Sequence, residues 1–480
     1  MPFLLAGLAL AGGIAIAPFF WAWRPFLAPA AALGGVGLLG WYLWRRRVPF
    51  IPALLLVVLL GILRVEPPLT AATTTRVTAV RGWCDGEKTG RGDGQYQGAR
   101  ITAWRMGNGP WSAPPRSIRL WVGGLPGEAE YGRSFTARGR LVNLPSATAD
   151  GYFFAKVARF LPEWGGNGFR RSALFLRAGI EKVFHLFLDR EEAGLLQGLV
   201  LGDLPGLTPE AERWFRDAGA LHLLSVSGLH VGFVMGLALG LARLWGRHGF
   251  IRWFFAALAV LGYTLLCGAR PPVLRAAVMA MAAGAGALGH RRTEPANLLG
   301  LAGLVILLLD PRALSTVGFR LSFAATAGIV FLYPRWAAWC PARWAWLGRP
   351  FFVSLAASLA VLPLQAMAFG RVSLLGPLAN LFLVPPAGLA VQMGIVAGLS
   401  GLVWPWLAGL PLLLLRVLLR LLFGLARLFA GLPGAAVNLG AWPASAVVLY
   451  YLFLGAMCLG TERNLLNRRT RWRIGSLLLV

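Results

Sequence analysis

Long apolar runs alternate with one extended polar stretch along this chain. Runs long enough to cross a bilayer as helices come first, near residues 3–20, 26–44 and 49–65. A polar insert follows at about residues 70–165, and apolar runs then dominate again. The pattern predicts a polytopic α-helical membrane protein with about 11 to 12 transmembrane helices. The later predicted spans lie near residues 221–245, 251–268, 272–289, 294–310, 315–334, 351–369, 374–400, 404–430 and 442–460.

The polar insert has a different periodicity from the rest of the chain. Short alternating runs are separated by Gly, Pro and Asp turns, which predicts a small β-barrel or sandwich of about five strands. Basic and aromatic residues are interleaved in it, as in barrels that bind single-stranded nucleic acid. In the alternative interpretation, the rings fill the barrel and the arginines solvate it. The runs are residues 76–84, 96–105, 117–122 and 134–142, and the candidate DNA-binding residues are Trp83, Arg100, Trp104, Arg119 and Trp121.

Three shorter elements link the insert to the second group of apolar runs. Apolar residues at helical spacing in residues 170–188 oppose Arg170, Arg171 and other basic residues, which predicts an amphipathic helix in the headgroup plane. Residues 195–201 form a further apolar turn or two, ended by a glycine. Thr208 and Pro209 are typical of the N-cap and first position of a helix, predicted to end at residue 217.

Composition and charge narrow the class of protein. Hydrophobic residues make up 57% of the chain, which excludes a soluble protein, and 46 basic residues against 19 acidic ones give a net charge of +27. Arg45, Arg46 and Arg47 mark a cytoplasmic loop, so the N-terminus is predicted to be cytoplasmic and the insert extracytoplasmic. The arginines within residues 404–430 suit an interfacial or pore-lining helix, and they leave the side of the C-terminus open.

Acidic residues are scarce in the second half of the chain. Between residues 218 and 461 only Glu294 and Asp310 are acidic. Proton pumps and cation carriers usually need buried carboxylates, so this pattern favours an anionic cargo. Cysteines are scattered without metal-ligand spacing, and no cofactor is expected.

Residues 219–232 concentrate polar groups at the start of an apolar run. A bilayer core cannot satisfy such groups, so they must face protein or a wet cavity. Gly228 and Gly232 are four residues apart, which would let another backbone approach. The Ser and His residues share one predicted helix, where they form a packed or pore-lining patch, a serine hydrolase site or, least favoured, a metal site. The candidates are His222, Ser225, Ser227, Gly228 and His230.

Three more polar residues interrupt the later apolar runs. Arg275 lies one turn inside its run, and Arg320 is similarly placed, so each is expected to face a cavity. Asn380 precedes two prolines and is expected first to cap the backbone groups that they free, and otherwise to line the same pathway.

Taken together, these motifs resemble the ComEC family of competence proteins. Residues 219–232 are similar to the family's G-x-x-H-L-L-(A/S)-(V/I)-S-G-L-H-(V/I)-G signature. Residues 268–276 resemble its G-x-x-x-S-x-x-R-A element with Pro272 in place of serine, and residues 318–323 resemble G-F-Q-L-S-F with Arg320 in place of glutamine. Residues 375–385 are similar to its P-x-x-N-x-x-x-x-P element, and the insert occupies the position of its oligonucleotide-binding-type (OB) domain.

The resemblance implies an inner-membrane channel that passes single-stranded DNA into the cytoplasm during natural transformation. Implied partners are membrane lipids, an external receptor for double-stranded DNA, a separate nuclease and a cytoplasmic helicase or ATPase. Many members carry a C-terminal metallo-β-lactamase-like domain, but this sequence has no H-x-H-x-D-H motif. A non-enzymatic role is therefore expected, with an intramembrane serine hydrolase and a transporter of another anion as alternatives.

These expectations divide the chain into five parts. They are N-terminal transmembrane helices at residues 1–66, an OB-like β domain at 67–168, amphipathic or interfacial helices at 169–218, a transmembrane channel domain at 219–462 and a basic tail at 463–480.

Overall fold

The fold is described from a computed structural model of the 480-residue chain. Met1–Ala11, Arg177–Leu309 and Val317–Val480 form one compact unit, and Gly12–Leu176 with Asp310–Thr316 forms a second. The predicted span at residues 26–44 and the basic tail at 463–480 lie outside the described residues. The structure describes residues 2–17, 50–64, 77–91, 94–106, 111–112, 118–123, 125, 133–142, 151–164, 168–202, 206–243, 249–440 and 442–460.

The polar insert folds into a closed β-barrel of five strands, as the sequence predicts. The strand order is β1-β2-β3-β5-β4, and β4 closes the barrel by pairing with β1. Strand β3 pairs with β5 in parallel while the other neighbours are antiparallel, which gives an OB-like barrel. The strands are β1 Val77–Arg91, β2 Gly94–Met106, β3 Ile118–Gly123, β4 Arg133–Val142 and β5 Gly151–Trp164.

The fifth strand is the one that the sequence pattern did not locate. Its side chains change face at a bulge, because the register with β4 shifts between Arg138 and Gly139. Phe153 is buried before this shift, whereas Ala158 and Phe160 pack on the core after it, so the spacing changes from odd to even positions. A search for strict alternation fails at such a bulge.

The remaining described elements are fifteen helices and a two-stranded ribbon, with short 3-10 turns between some of them. The ribbon pairs β6 Arg371–Ser373 with β7 Ala436–Asn438. The helices are α1 Pro2–Ile16, α2 Phe50–Arg64, α3 Gly168–Phe187, α4 Arg190–Leu201, α5 Pro209–Asp217, α6 Gly228–Ala242, α7 Gly249–Leu266, α8 Pro271–Leu288, α9 Pro295–Leu309, α10 Val317–Phe331, α11 Tyr333–Ala337, α12 Ala345–Phe369, α13 Gly376–Val403, α14 Pro405–Ala430 and α15 Ala444–Gly460.

Five of the described helical segments are long and apolar enough to cross a membrane, as expected for a polytopic membrane protein. Shorter apolar helices accompany them at both ends of the described chain and at α6 and α9. Exposed leucines and phenylalanines cover the outward faces of α7 and α14, where a soluble protein would carry charges. The five segments are Gly249–Leu266, Pro271–Leu288, Val317–Ala337, Ala342–Phe369 and Gly376–Val403.

The elements that link the insert to the later helices are packed into the larger unit. Helix α5 begins and ends as predicted, and the Thr208 hydroxyl accepts the N–H of Ala211 at its N-cap. Helix α4 is longer than the predicted apolar turn, and its residues from Glu192 to Leu201 are all buried. The position of this part of the helix in the core explains its apolar composition, because no side of it meets solvent after Glu191.

Helix α3 is amphipathic, as its spacing predicts, but its buried face is narrower. Ile180, Val183 and Phe184 are buried and pack against glycines near the end of α13. Phe175 belongs to the predicted apolar face and yet is 83% exposed. The buried part of the helix is thus held by the larger unit, and a place in the headgroup plane stays a prediction for the rest.

Candidate functional site

Several breaks between helices meet around residues 219–228. Gly219 adopts a left-handed backbone with φ of 76°, and its Cα lies against Ser373 and Gly376, where α13 begins. Val226 lies against Gly202, the residue that ends α4. The start of α6 therefore adjoins the end of α4 and the start of α13. Helix ends that meet inside an apolar bundle are typical of binding sites in membrane transporters.

The polar run does not form one helix with α6, contrary to the sequence-based expectation. Residues Leu221–Leu223 form a 3-10 turn, and α6 begins only at Gly228. The Ser225 hydroxyl donates to the carbonyl oxygen of His222 at 3.3 Å, which closes a local turn. The sequence offered a sign of this break, because Gly219 and Ser227 suit a left-handed turn and an N-cap, respectively.

Ser227 and His230 form a capping box at the start of α6. The backbone N–H of Ser227 donates to Nδ1 of His230 at 3.1 Å, and the Ser227 hydroxyl lies 3.1 Å from the same nitrogen. His230 thus takes the place that Glu or Gln usually holds at the third helical position. Because Nδ1 accepts the N–H, the neutral ring carries its proton on Nε2. That nitrogen is buried and lacks a hydrogen-bond partner among the described residues.

Arg275 lies inside the bundle and links three helices. It projects from the first turns of α8 and is 9% exposed. One terminal nitrogen donates to the Ser322 carbonyl at 2.6 Å and to the Thr326 hydroxyl, both on α10. The other terminal nitrogen, Nη2, lies against Gly228, at the place where a Cβ on that residue would be. No carboxylate pairs with Arg275 in the part of the chain that the structure describes.

The two glycines of α6 have different surroundings from those expected. Gly228 admits the guanidinium of Arg275 rather than a neighbouring backbone, whereas Gly232 has open space at its Cβ position. The expectation of a close backbone approach at this pair is therefore wrong. The chain needs a residue without a side chain at Gly228 because a charged side chain fills that space.

Arg320 and Asn380 have different surroundings from Arg275. Arg320 is exposed in the first turn of α10. It precedes Ser322 by two residues, so its Cβ points about 200° away around the helix from the face that meets Arg275. The Asn380 amide donates to the Ser354 hydroxyl on α12 at 2.9 Å. Asn380 thus bridges two helices, and the expectation that it first caps backbone groups is wrong.

The arginines of α14 are paired with carboxylates that lie far upstream in the sequence. Nε of Arg416 lies 3.0 Å from one oxygen of Glu192, and Nε of Arg420 lies 2.9 Å from the other. Both arginines also approach Asp189, and Arg427 lies over the ring of Trp214. The sequence did not reveal these partners because ion pairs across such separations leave no periodic signal. The segment around these arginines contains few acidic residues, but the fold brings carboxylates from upstream next to them.

The C-terminal end of α4 is closed by groups from α7 and from the turn before α8. Tyr263 donates its hydroxyl to the Val200 carbonyl at 2.9 Å, and Arg270 donates to the Gly202 carbonyl at 2.9 Å. These donors satisfy carbonyls that a helix end leaves free. Arg270 also precedes Pro271 and Pro272, which occupy the first positions of α8. Most of the motif at residues 268–276 is therefore the beginning of this helix.

The barrel carries basic residues in a row across neighbouring strands. Trp83 of β1 is paired in register with Arg100 of β2, and Arg100 is paired with Arg119 of β3. Arg100 is exposed, whereas Trp121, on whose ring the Arg119 guanidinium stacks at 5.1 Å, is only 5% exposed and does not offer its ring to a strand. This is the strand face with which OB barrels commonly bind oligonucleotides.

A second basic and aromatic cluster lies on the outside of β1 and β2. The guanidinium groups of Arg81 and Arg105 lie 5.2 Å and 4.7 Å from the ring centre of Trp111. Trp111 is half-buried and is one of the aromatic residues interleaved with basic ones in the insert. Trp104, in contrast, is 3% exposed and belongs to the barrel core. It cannot offer its ring to a strand, so at this residue the ring fills the barrel.

A comparison with known families matches the larger unit. The model of the Competence protein family matches residues 199–464, which is more than half of the chain. This region includes the turn at residues 219–227, Arg275 and Asn380. No solved structure matches the chain.

Individual relatives agree with this match over part of their length. ComE operon protein 3 of Bacillus subtilis is 32% identical over 235 residues, 48% of this chain and 29% of the relative. Competence protein ComA of Neisseria gonorrhoeae is 34% identical over 40% of this chain and 28% of its own. Recombination protein 2 of Haemophilus influenzae is 28% identical over 40% of this chain and 26% of the relative. The matched region therefore spans less than a third of each relative. On its family match and its motifs, the chain belongs to the ComEC family of competence proteins.

Proposed function

We propose that this protein takes part in DNA uptake for natural transformation, as a channel that passes single-stranded DNA across the bacterial inner membrane into the cytoplasm. Membership of the competence family supports the role in uptake. The apolar helices supply a membrane-embedded body for a channel. The barrel, on the extracytoplasmic side, receives the strand.

The observation that carries the channel proposal is the state of Arg275. An arginine buried in an apolar bundle is costly unless an anion or several hydrogen-bond acceptors compensate for it. Arg177, Arg416 and Arg420 in the same unit have carboxylate partners. Arg275 has a carbonyl and a hydroxyl instead. A passing phosphate would supply the charge that these neutral groups lack, whereas a cation would be repelled.

The barrel surface supports the same substrate class. Strands β2, β3 and β4 carry arginines and no acidic residue. Arginine beside tryptophan binds backbone phosphate and stacks on bases without reading their order. The external double-strand receptor, the separate nuclease and the cytoplasmic helicase or ATPase remain part of the proposal as partners.

Deleting the gene in a transformable host tests this proposal. The cytosolic arrival of labelled donor DNA should fall to background, while DNA bound at the cell surface and passage through the outer layers persist. Complementation with the intact chain should restore cytosolic DNA. Unchanged arrival in the deletion strain would reject the proposal, and a loss of a different anion from the cytosol would favour a transporter of that anion.

The Ser227 and His230 pair also allows the hydrolase alternative to be assessed. A serine nucleophile needs a base whose other nitrogen is oriented by a third group. Here the base nitrogen also accepts the N–H of Ser227, and Nε2 has no partner among the described residues. The capping role accounts for the pair without catalysis. Labelling of the folded protein by a fluorophosphonate, lost in Ser227→Ala, would overturn this interpretation.

A further inference from the structure

We infer that the start of α6 and the guanidinium of Arg275 together form a binding site for one phosphate group of the translocated strand. This inference rests on the proposed function and deepens it, because it identifies where in the bundle the strand is held. It also assigns Gly228 the role of keeping the site open.

The first part of the site is the N-terminus of α6. A 15-residue helix presents free N–H groups and the positive end of its dipole in its first turn. Val231 and His230 direct their N–H groups to the Ser227 carbonyl, so the donors that remain are those of Gly228 and Leu229. The capping box holds this turn in place, because it ties His230 to Ser227.

The second, independent part is Arg275 itself. Its side chain is more than nine-tenths buried, its Nη2 lies against Gly228, and its Nε has no hydrogen-bond partner among the described residues. A buried N–H without an acceptor is costly, so an acceptor is expected when the protein is at work. The guanidinium also packs against a helix end of the same sign at Gly228, and an anion bound alongside both would convert this repulsion into attraction.

The shape of the site selects a phosphate over a carboxylate or a halide. A planar guanidinium offers two parallel N–H groups, and a helix N-terminus offers further donors from another direction. A tetrahedral phosphodiester has oxygens for both sets of donors, and it carries a single charge. The contact involves no base, so any sequence would be held equally.

The distinguishing experiment uses Gly228→Ala and Gly232→Ala in the full chain. A methyl group at residue 228 would occupy the place of Arg275 Nη2, whereas one at residue 232 meets open space in the same helix. We expect Gly228→Ala to lower DNA uptake by about tenfold, the effect of losing one charge-assisted hydrogen bond, and Gly232→Ala to leave it unchanged. The amount of each variant in the membrane, measured by immunoblot, normalises the result.

A binding measurement keeps the inference testable if Gly228→Ala does not fold. Purified chain in phosphatidylcholine nanodiscs would be titrated with fluorescein-labelled oligothymidylate at several salt concentrations. Arg275→Gln should weaken binding about tenfold and reduce the slope of log affinity against log salt by about 0.7, the value for one neutralised phosphate. A purely structural role for Arg275 would leave that slope unchanged and would overturn the inference.

Two outcomes separate this inference from the function on which it rests. If deletion abolishes uptake while Gly228→Ala and Arg275→Gln retain it, the phosphate site is wrong and the channel proposal stands. If deletion has no effect, the channel proposal fails whatever the variants do. Nanodiscs with phosphatidylglycerol address lipid phosphate as the ligand. An Arg275→Gln loss of oligothymidylate affinity that is the same with phosphatidylcholine and with phosphatidylglycerol supports a strand site. A loss of phosphatidylglycerol binding in Arg275→Gln, with the oligothymidylate affinity unchanged, overturns the inference in favour of a lipid headgroup.

Discussion

Individual buried charges in this bundle have two kinds of surroundings. Glu192 is 5% exposed and has an arginine at each carboxylate oxygen, so its charge is neutralised within the protein. Arg275 is nearly as buried, but its partners are neutral. The first arrangement stabilises a fold, and the second leaves a cation able to bind a mobile anion. Burial alone therefore does not separate structural from functional charges; the partner does.

The role of Glu192 can be tested by removing its charge. Glu192→Gln would remove from Arg416 and Arg420 the closer of the two carboxylates that they share, and from the first turn of α4 a favourable negative charge. Because both arginines are partly exposed, we expect a loss of about 1–3 kcal/mol, below the range for a fully buried pair. Thermal unfolding in detergent measures this. Glu191→Gln is the matched control, since Glu191 is exposed on the same turn, and an equal loss in both variants would contradict the assignment.

The polar residues of the site were easier to predict from the sequence than their partners were. The residues from His222 to His230 and Arg275 stood out because polar groups are costly in apolar runs. The pairing of Arg420 with Glu192 spans more than two hundred residues, and no spacing rule connects such positions. Arg320 stood out for the same reason as Arg275, but only the structure shows that it is exposed, on a different face of α10 from the one that meets Arg275.

Among the elements, α6 shows how a helix start can position a site. Its first residue must be Gly because Arg275 occupies the adjacent space, and its N-cap must bind the ring of His230. Both constraints act within one turn, immediately after the 3-10 turn at Leu221–Leu223. The polar groups of the candidate site therefore lie at the start of α6 and not in its interior.

The cap of α6 gives a prediction with a built-in control. Ser227→Ala removes the hydroxyl from the capping box and should lower the free energy of unfolding by about 1 kcal/mol. Ser225→Ala removes a hydroxyl that bonds the His222 carbonyl in an exposed turn, and should cost less than about 0.5 kcal/mol. Thermal unfolding of the two variants in the same detergent measures the difference. A larger effect for Ser225→Ala would show that α6 is not held by this cap.

The barrel and the helices were predictable to different degrees. Hydrophobic length is a strong signal, so the apolar helices were expected, and α5 was recognised from its N-cap and proline. Strand β5 escaped because its bulge changes the face of its side chains midway. Helix α4 was underestimated because the charged residues Arg190, Glu191 and Glu192 precede its apolar run, although Glu192 is buried in the folded chain.

The bulge between β4 and β5 can be tested by adding one methyl group. A Cβ on Gly139 would overlap the carbonyl oxygen of Phe154, so Gly139→Ala must displace the β5 backbone. We expect a loss of about 1–3 kcal/mol in barrel stability, seen as faster trypsin cleavage at the barrel arginines. Gly168→Ala, where nothing lies near the new Cβ, should not change the cleavage rate. Equal rates for both variants and the wild type would show that the strands tolerate the extra atom.

At the scale of the whole molecule, the excess of positive charge has several separate uses. Some arginines neutralise carboxylates, as Arg371 does with Asp217 at 3.2 Å. Arg291 and Arg292 lie on the connection between α8 and α9, and basic residues on such connections orient the helices of membrane proteins. Strands β2, β3 and β4 of the barrel contain arginines and no acidic residue, so each of these strands is positively charged. The net charge of +27 is therefore divided among several separate groups of basic residues, each with its own local effect.

The barrel arginines beside Trp111 should contribute to oligonucleotide binding by the whole chain. Arg81 and Arg105 both stack on that ring, which holds their guanidinium groups in place at the surface. Replacing both with Gln should reduce the slope of log affinity against log salt by roughly 0.7 for each phosphate that is no longer neutralised. Arg138→Gln with Arg140→Gln is the matched control, because it removes the same charge from exposed positions on β4. If net charge alone drives binding, the two double variants will lose affinity equally. If the arginine and tryptophan cluster binds the strand, only the first will lose affinity, and its loss will shrink at high salt because it comes from phosphate contacts.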